Sequence, residues 1–483
     1  MMLLASSFTA AAVPADLVTQ LPGFDAWPFK LYSGYLTVPG PFLRTSYDSL
    51  SIHYQFHTAQ TDPASAPLVT WHQGGPGGSA IAVGLYTEMG YFQIDDQGTH
   101  TNEYAWNKVA NMLYLENPAG SGGKHGYSTC LKGGKPVGCS WDDVSQAEAY
   151  AHALAAFYRA FPEFHSNPLY LTGESYFGQY GPNIAHWILT HAPFNSSIPL
   201  KGIALGNACW GGDAHSVQCN GPNEEQNDMD LFYGKGLMSK KLYDQVYEGC
   251  AFPLKQKPSG ECEALLEKAH AAIGPHNVYN LYDNCAGVVE AQLRQAGRSM
   301  RWLTKQLRAP LSSAAAAEAA SRRLEEGGYT WSCGGEAATA AWLVRDDVRA
   351  ALHLASPGLS SFDYSVSGPA SITLYPFLIP RLRVLIYNGD ADACVPYKGN
   401  EEWITSLVSK GDLAEKAAWR PWYTSEDTAH RTAPAGYVTT YDVNGGTHDF
   451  SFLTIRLAGH MVPTFQPAAS LAFFERFLAA KPF

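Results

Sequence analysis

The segment 169–178 reads LYLTGESYFG, and it combines a short apolar strand, a sharp turn between two glycines and the start of a helix-like stretch. Ser175 stands at the apex of this turn. A strand, turn and helix in this order lift a serine hydroxyl above the edge of a sheet and leave the next backbone N–H free to hold an oxyanion. The alternative is an ordinary Gly-Ser turn or helix cap. The segment therefore predicts a nucleophile whose catalytic partners must lie elsewhere in the chain.

Short, β-prone apolar runs recur on both sides of this segment. They cover residues 68–71, 112–115, 169–172, 203–205, 384–387 and 453–457, and helix-like stretches cover 142–161 and 178–191. Alternation of strands with helices is typical of a largely parallel sheet that has helices packed against it. The sequence therefore predicts an α/β fold.

Two strand ends downstream of Ser175 carry an acid and a histidine. The run 384–387 leads into Asp390 and Asp392, and the run 453–457 leads into His460. A serine hydroxyl is a weak nucleophile unless a histidine takes its proton and an acid orients that histidine, and α/β-hydrolases place the three in the order Ser, acid, His. By analogy with that fold, in which the acid lies several residues beyond its strand, we select Asp392. Asp390 then stabilises its own turn.

A glycine-rich stretch, WHQGGPGG at residues 71–78, follows an early strand. Glycine allows the close backbone approach that an oxyanion hole needs. The alternative is a flexible turn, but the position after an early strand is the one that supplies the second oxyanion donor in α/β-hydrolases. We therefore predict that this stretch lies beside Ser175.

Five blocks, WHQGGPGGSA, ENPAGSG, GESYFG, GDADACVP and AGHMVP, occur in this order and together resemble the serine carboxypeptidase family, which includes lysosomal and vacuolar enzymes. The resemblance runs from about Phe29 to the last residue. It implies an α/β-hydrolase fold, with a central, largely parallel sheet flanked by helices and an inserted helical cap. It also implies that Ser175 is the nucleophile, that His460 is the general base and later the acid, and that Asp392 orients His460. Gly75 and Tyr176 would donate the oxyanion-hole N–H groups.

The resemblance further implies a site for the free C-terminal carboxylate of a peptide. The matching residues are Gln73, Gly74, Glu174 and Glu88. Two carboxyl groups in contact cannot both ionise at low cost, so one stays protonated in acid and can donate a hydrogen bond to the substrate. This predicts peptidase activity that is favoured at acidic pH. Without the resemblance, each glutamate is explained as a solvent-facing charge.

Three positions depart from the family pattern. The family's Asn is Gln73 here, which is one methylene longer, and Phe177 occupies a position that is usually small. Gly78 replaces a cysteine, and the segment 355–380, where the partner of that cysteine would lie, contains no cysteine either. We therefore expect altered carboxylate recognition and the loss of that bridge as a unit.

The nine cysteines favour disulfides over a reduced cytosolic enzyme, since none forms a C-x-x-C pair. Spacing predicts short-range pairs for Cys130 with Cys139, Cys209 with Cys219, and Cys250 with Cys262. The family resemblance implies that Cys285 pairs with Cys333, which leaves Cys394 as the free thiol. An Asn-Ser-Ser sequon predicts glycosylation at Asn195, and together these features favour the secretory route, to the extracellular space or to a vacuole or lysosome.

The strand rhythm stops between residues 209 and 340, where polar, helix-prone sequence replaces it. We interpret 209–340 as the inserted cap between two parts of the core, 21–208 and 341–483. Within the cap, the Ala-rich segment 309–328 is either a marginal surface helix or a mobile, processed loop. Residues 1–20 are a signal peptide or an N-terminal extension, or else a mis-started N-terminus.

The composition excludes several classes of function. The formal net charge is −11 and no Lys/Arg cluster is visible in the sequence, which argues against nucleic-acid binding. No stretch reaches the ~20 apolar residues of a membrane span. The proposed chemistry requires no metal or cofactor, and the predicted partners are peptide or protein C-termini, with a homodimer left open. Two other functions remain: an acyltransferase or esterase that uses the same triad, and a catalytically silent protective or binding protein.

Overall fold

A computed structural model describes most of the chain. The described residues are 14–95, 97–123, 126–211, 219–253, 260–274, 276–283, 336–355, 361–425 and 433–483. The predicted pair Cys285–Cys333, the segment 309–328 and most of the predicted leader lie outside them.

The strands of the described chain are bounded as follows: β1 Leu17–Val18, β2 Leu31–Pro39, β3 Ser49–His57, β4 Leu68–His72, β5 Phe92–Asp95, β6 Gly98–Thr101, β7 Asn111–Leu115, β8 Thr129–Lys132, β9 Lys135–Val137, β10 Cys139–Asp142, β11 Leu169–Glu174, β12 Leu200–Gly206, β13 Phe362–Ser365, β14 Arg383–Gly389, β15 Leu413–Trp422, β16 Gly436–Val443 and β17 Asp449–Ile455.

One large sheet organises the molecule. Its strands follow the order β1-β2-β3-β7-β4-β11-β12-β14-β17-β16-β15, with β8 and β9 attached to β3. The six strands from β7 to β17 in this order run parallel, and the strands at both ends are antiparallel. Every residue of β4, β7 and β11 is buried, as expected for parallel strands that are covered on both faces. The predicted central sheet with parallel strands is confirmed, but the sheet as a whole is mixed, since its antiparallel ends were not predicted.

The helices are bounded as follows: α1 Asp143–Ala160, α2 Phe177–Thr190, α3 Phe194–Ser197, α4 Glu224–Gly234, α5 Lys240–Cys250, α6 Glu261–Ile273, α7 Glu336–Leu343, α8 Asp346–Ala351, α9 Tyr375–Leu378, α10 Tyr397–Lys410, α11 Val462–Phe465 and α12 Pro467–Ala479. A π-helix covers Ala80–Met89, and short 3₁₀ helices cover Pro14–Asp16, Trp106–Lys108, Pro162–Phe164 and Ser371–Thr373.

Helices cover both faces of the sheet. On one face α1 and α2 contribute Phe157 and Ile184 to the larger apolar core, and on the other face α12 contributes Phe473 to a second core. The start of α1 is fixed by a capping box, in which Asp142 accepts the backbone N–H of Ser145 and the Ser145 hydroxyl bonds back. This arrangement is that of the predicted α/β-hydrolase fold.

The helices α4, α5 and α6 fall within the predicted cap and pack a small apolar core of their own. Phe232, Val246 and Leu266 are buried in it. No helix among the described residues is both long and apolar enough to cross a bilayer.

Candidate active site

Four loops that carry predicted site residues leave the same edge of the sheet. Gln73 follows β4, Ser175 follows β11, Asp392 follows β14 and His460 follows β17. Since the carboxyl ends of parallel strands meet at one edge, these loops converge there. Asn207, which follows β12, joins them, although the sequence analysis did not select it.

Ser175 forms the predicted elbow between β11 and α2. Its φ of 61° lies in the left-handed region, which a non-glycine residue seldom adopts. Its N–H donates to the carbonyl of Gly206 and its carbonyl accepts the N–H of Gly178, both at 2.9 Å. A Cβ atom at Gly178 would collide with the backbone of Cys209. The glycine therefore allows the loop after β12 to hold the strained turn in place.

Asp392 and His460 form a buried pair. Asp392 Oδ2 lies 2.6 Å from His460 Nδ1, and both side chains are at most 1% exposed. The same carboxylate accepts the Asn207 side-chain amide at 2.7 Å and the Cys394 backbone N–H at 2.8 Å. These donors hold the carboxylate in place, and it fixes the orientation of the imidazole.

Burial acts to lower the pKa of His460, but the Asp392 carboxylate and Glu174 outweigh it, so that the pKa lies above its ordinary value. The Nε2 atom of His460 is buried and has no hydrogen-bond partner among the described residues. Ser175 and this nitrogen therefore form no hydrogen bond of ordinary geometry here. Such bonds are often long in ligand-free enzymes and tighten when substrate binds.

Asp390 has a different role from the one predicted. Instead of stabilising only its own turn, it accepts the backbone N–H of Leu457 at 2.8 Å and pairs with Lys235 of the cap at 3.2 Å. Leu457 has a φ of 61°, which ends β17 at Ile455 rather than at the predicted residue 457. The Asp390 carboxylate thus ties together the acid loop, the histidine loop and the cap.

Tyr279, from the predicted cap, also supports the histidine. Its carbonyl accepts the His460 N–H at 2.7 Å, and its ring lies 5.1 Å from the imidazole. Asn207 has the same sequence feature that led us to select Asp392 and His460, namely a polar side chain just after a strand. This feature could therefore have identified Asn207 as well. Tyr279 carried no such signal.

The glycine-rich loop approaches the elbow closely. A Cβ atom at Gly74 would collide with Ser175 and with the backbone N of Tyr176. Among the described residues, the backbone N–H groups of Gly75 and Tyr176 donate to no protein acceptor. Two free donors beside the serine are the arrangement that an oxyanion hole requires.

Glu174 and Glu88 are both buried, next to the elbow. Burial raises the pKa of Glu88 to about 8. Burial and then the charge of Glu88 raise the pKa of Glu174 well above its ordinary value. Gln73 donates to Glu174 Oε1 at 2.6 Å, but Glu174 Oε2 and both Glu88 oxygens lack a hydrogen bond of ordinary geometry within the described chain. Neither glutamate is the solvent-facing charge of the alternative explanation.

Two departures from the family pattern lie next to each other in the same loop. The Gln73 side chain is held at both ends, because its Oε1 accepts the Trp71 indole N–H at 3.0 Å while its Nε2 donates to Glu174. A Cβ atom at Gly78 would lie 2.8 Å from Gln73 Cγ and 2.8 Å from the carbonyl oxygen of Gly74. A side chain at position 78 would therefore crowd both the backbone of Gly74 and the side chain at 73.

We expect Gly78→Ala to lower the free energy of unfolding by about 1–3 kcal/mol, since it overpacks this contact. Urea denaturation measures the variant. Gly234→Ala, where a Cβ atom meets nothing within 4 Å, is the control and should cost nothing. A Gly78→Ala variant as stable as the wild type would contradict this explanation.

Phe177 is accommodated by glycine on two sides. A Cβ atom at either Gly173 or Gly181 would collide with its ring. The ring is 1% exposed and stacks on His72 at 5.5 Å. Burial lowers the pKa of His72 to about 4, so this histidine is neutral and serves packing. The large residue therefore leaves the elbow intact.

The three predicted short-range disulfides are present, Cys130–Cys139, Cys209–Cys219 and Cys250–Cys262. Cys394 is a free thiol, as predicted, and burial together with the Asp392 charge raises its pKa well above the ordinary value. Asn195 is exposed, on α3. Among the described residues no group of His, Cys, Asp and Glu side chains could hold a metal ion.

Comparison with known proteins gives a consistent result. A model of the family described as serine carboxypeptidase matches residues 22–480. The chain is 32% identical to a lysosomal protective protein of Mus musculus over 99% of this chain and 96% of that protein. It is 29% identical to a serine carboxypeptidase of Hordeum vulgare, over 97% and 93% of the two chains.

A solved structure shares the fold. A prohormone-processing carboxypeptidase of Saccharomyces cerevisiae superimposes with a TM-score of 0.64 at 20% identity, over 97% of both chains. At that identity the likeness concerns the fold alone.

Proposed function

The chain belongs to the serine carboxypeptidase family, and from this premise we propose that it releases the C-terminal amino acid of peptides through an acyl-enzyme on Ser175. The observation that carries the proposal is the buried pair Glu174 and Glu88 beside the elbow. A nucleophile that only cleaved esters would have no need of two protonated carboxyl groups next to it. The substrate is therefore a peptide with a free C-terminal carboxylate.

The mechanism follows from the loops at the carboxyl edge of the sheet. Ser175 Oγ attacks the last peptide carbonyl while His460 Nε2 takes the hydroxyl proton, and Asp392 stabilises the imidazolium. The carbonyl oxygen becomes negative between the N–H groups of Gly75 and Tyr176. His460 then gives its proton to the leaving amine, and the C–N bond breaks. Water attacks the acyl-enzyme by the same route in reverse and restores the serine.

Recognition of the substrate carboxylate falls to Glu174, Glu88 and the Gly74 backbone. The unpartnered oxygens of the two glutamates can carry protons and donate them as hydrogen bonds to a carboxylate. Gln73 holds Glu174 in place through one N–H of its amide. The same nitrogen carries a second N–H, so the direct contact with the substrate that the family resemblance implies stays a prediction.

The test of the function compares an N-blocked dipeptide that ends in a free acid with the same dipeptide as its amide, at pH 7, where Glu88, with a pKa of about 8, is still protonated. We expect the free acid to be cleaved, with release of its last amino acid, and the amide to be cleaved at least about tenfold less efficiently. Transfer of an acyl group to an alcohol without peptide cleavage would indicate an acyltransferase. A folded wild type that leaves both peptides intact and does not react with a phosphonofluoridate would indicate a silent protective protein.

The pH dependence has two opposite limbs. The substrate carboxylate is ionised above about pH 4, so protonated glutamates bind it and ionised ones repel it. As the pH rises through the pKa of Glu88, about 8, the KM for a free-acid peptide should rise. At low pH kcat should fall, because His460, with its raised pKa, binds a proton and cannot act as a base. Peptidase activity is therefore favoured at pH values below the pKa values of the two glutamates.

Glu88→Gln should flatten the alkaline limb, since an amide cannot ionise. We expect the rise in KM between about pH 6 and about pH 9, about tenfold in the wild type, to shrink to less than about threefold. The measurement is KM against pH for the free acid, with the amide substrate as the control that lacks a carboxylate. An equally steep rise in KM for both substrates would mean that the glutamates take no part in carboxylate recognition.

We also propose that the chain enters the secretory pathway. Three disulfides are typical of oxidising compartments, and Asn195 of the sequon is exposed. The extracellular space and a vacuole or lysosome are both consistent with this route. Intact mass before and after treatment with a glycosidase tests the modification at Asn195.

A further inference from the structure

A cavity of about 330 Å³ lies at the end of the sheet opposite to the candidate active site. Arg383 begins β14 and Asp449 begins β17, and both line it, whereas Asp392 and His460 follow the other ends of these two strands. Its remaining walls come from β15, from β16 and from the end of α12 with the residues after it. The cavity is therefore a separate site on the described molecule.

The lining is strongly basic in a chain whose formal net charge is −11. One acidic side chain, that of Asp449, faces five basic ones, which are Arg383, Lys416, Arg420, Arg476 and Lys481. These five residues are spread over a hundred positions of sequence, and the sheet brings them together. A basic cluster of this kind attracts anions, since the electric fields of its positive charges add inside a concave site.

Two of the arginines each have a donor atom without an acceptor. Arg383 Nε and Arg420 Nη1 are buried and have no hydrogen-bond partner, and neither arginine pairs with a carboxylate within the described chain. A buried donor without an acceptor is unfavourable, and each such group in a folded protein requires an explanation. A bound anion would supply the missing acceptors.

The nearby carboxylates form ion pairs with the lysines instead. Asp449 lies 3.3 Å from Lys416, and Glu475 lies 3.2 Å from Lys481. The neighbouring acids therefore leave the charges of Arg383 and Arg420 unneutralised.

The guanidinium groups are also held in position. Arg383 Nη1 donates to the carbonyls of Phe477 and Leu478 at 2.8 and 3.2 Å. Arg476 donates to the carbonyl of Thr424 at 3.3 Å, and its guanidinium lies 5.9 Å from the centroid of the Trp422 ring. Donors fixed in this way lose little conformational entropy when an anion binds.

We propose that this cavity binds a small phosphomonoester. Planar guanidinium groups match the oxygens of a phosphate, and they bind it with two parallel hydrogen bonds. The apolar walls, which include Val384, Phe477 and Pro482, accommodate the organic part of the ester. The volume lies in the range of small-molecule sites. Inorganic phosphate shares the chemistry of the anionic part and is the second arm of the test.

The test is a calorimetric titration of the full chain, at low ionic strength, with phenyl phosphate, inorganic phosphate and phenol. We expect phenyl phosphate to bind most tightly and phenol not to bind, with affinity falling as salt is added. Arg420→Gln should weaken phenyl phosphate binding by about tenfold or more. Tighter binding of inorganic phosphate than of the ester would still support the anion site and would identify the free ion as its ligand.

Arg381→Gln is the matched control. Arg381 is exposed, lies two positions from Arg383 and stacks over Phe377 with its guanidinium 4.0 Å from the ring centroid, outside the cavity. The Arg381→Gln substitution removes the same charge as Arg420→Gln and should leave the affinity for phenyl phosphate unchanged. Lys481→Gln, on the exposed tail, is a second variant in case Arg420→Gln does not fold, and it should weaken binding about threefold. Absence of phenyl phosphate binding by the wild type, or equal losses in Arg420→Gln and Arg381→Gln, would overturn the proposal.

Discussion

Ser175→Ala is expected to lower kcat for peptide hydrolysis by about 10⁶-fold, which is the loss found when the serine of a serine protease triad is removed. The expected loss is this large because no other group can form the acyl-enzyme. Gly75 and Tyr176 would still polarise the carbonyl, so a weak residual rate over water should remain. The measurement is kcat on the blocked free-acid dipeptide, together with the mass added by a phosphonofluoridate.

The fold should tolerate this change. Ser175 holds its turn through its backbone N–H and carbonyl, and alanine keeps both. Ser409→Ala on α10 removes a hydroxyl that bonds to the Thr405 carbonyl, and it should keep full activity and labelling. If Ser175→Ala still gained the mass of the reagent, or kept more than about a hundredth of the activity, Ser175 would not be the nucleophile.

The elements that carry chemistry could be predicted because their signals are local. The β11 elbow and the loops after β14 and β17 each consist of a buried strand followed by a polar turn, and the structure brings these turns to one edge of the sheet, while the roles of their residues stay predictions. Antiparallel β2 and β16 carry no comparable motif. Their residues pair with β3 and with β17 through tertiary contacts that short windows of sequence do not contain.

Packing between distant segments could not be predicted. Gln73 and Gly78 were recognised as departures, but the crowding that a side chain at 78 would cause depends on contacts that only the folded loop reveals. Tyr279 reaches His460 from the cap, nearly two hundred positions away, through a backbone carbonyl that any residue type could provide. The basic cavity likewise has no sequence signal, because Arg383 and Arg420 lie on different strands.

Asp392→Asn is expected to lower kcat by about 10⁴-fold, as the equivalent change does in a serine protease triad. Oδ2 of Asp392 faces three donors, the His460 Nδ1–H at 2.6 Å, the Asn207 amide at 2.7 Å and the Val395 backbone N–H at 3.2 Å. An amide group can accept only through its oxygen, and its NH₂ would face a donor. His460 would then lose the partner that fixes its tautomer, and the free energy of unfolding should fall by about 1–3 kcal/mol.

Asp390→Asn is the matched control, because it changes the same atoms two positions away. Asp390 makes its contacts to Leu457 and Lys235, and not to His460. The amide oxygen can still accept the Leu457 N–H, and only the partly exposed pair with Lys235 is weakened, so kcat should stay within about threefold of the wild type. Measurement of kcat and of the pH profile for both variants separates the two acids. A loss in Asp390→Asn that matched or exceeded the loss in Asp392→Asn would mean that the orienting role had been assigned to the wrong carboxylate.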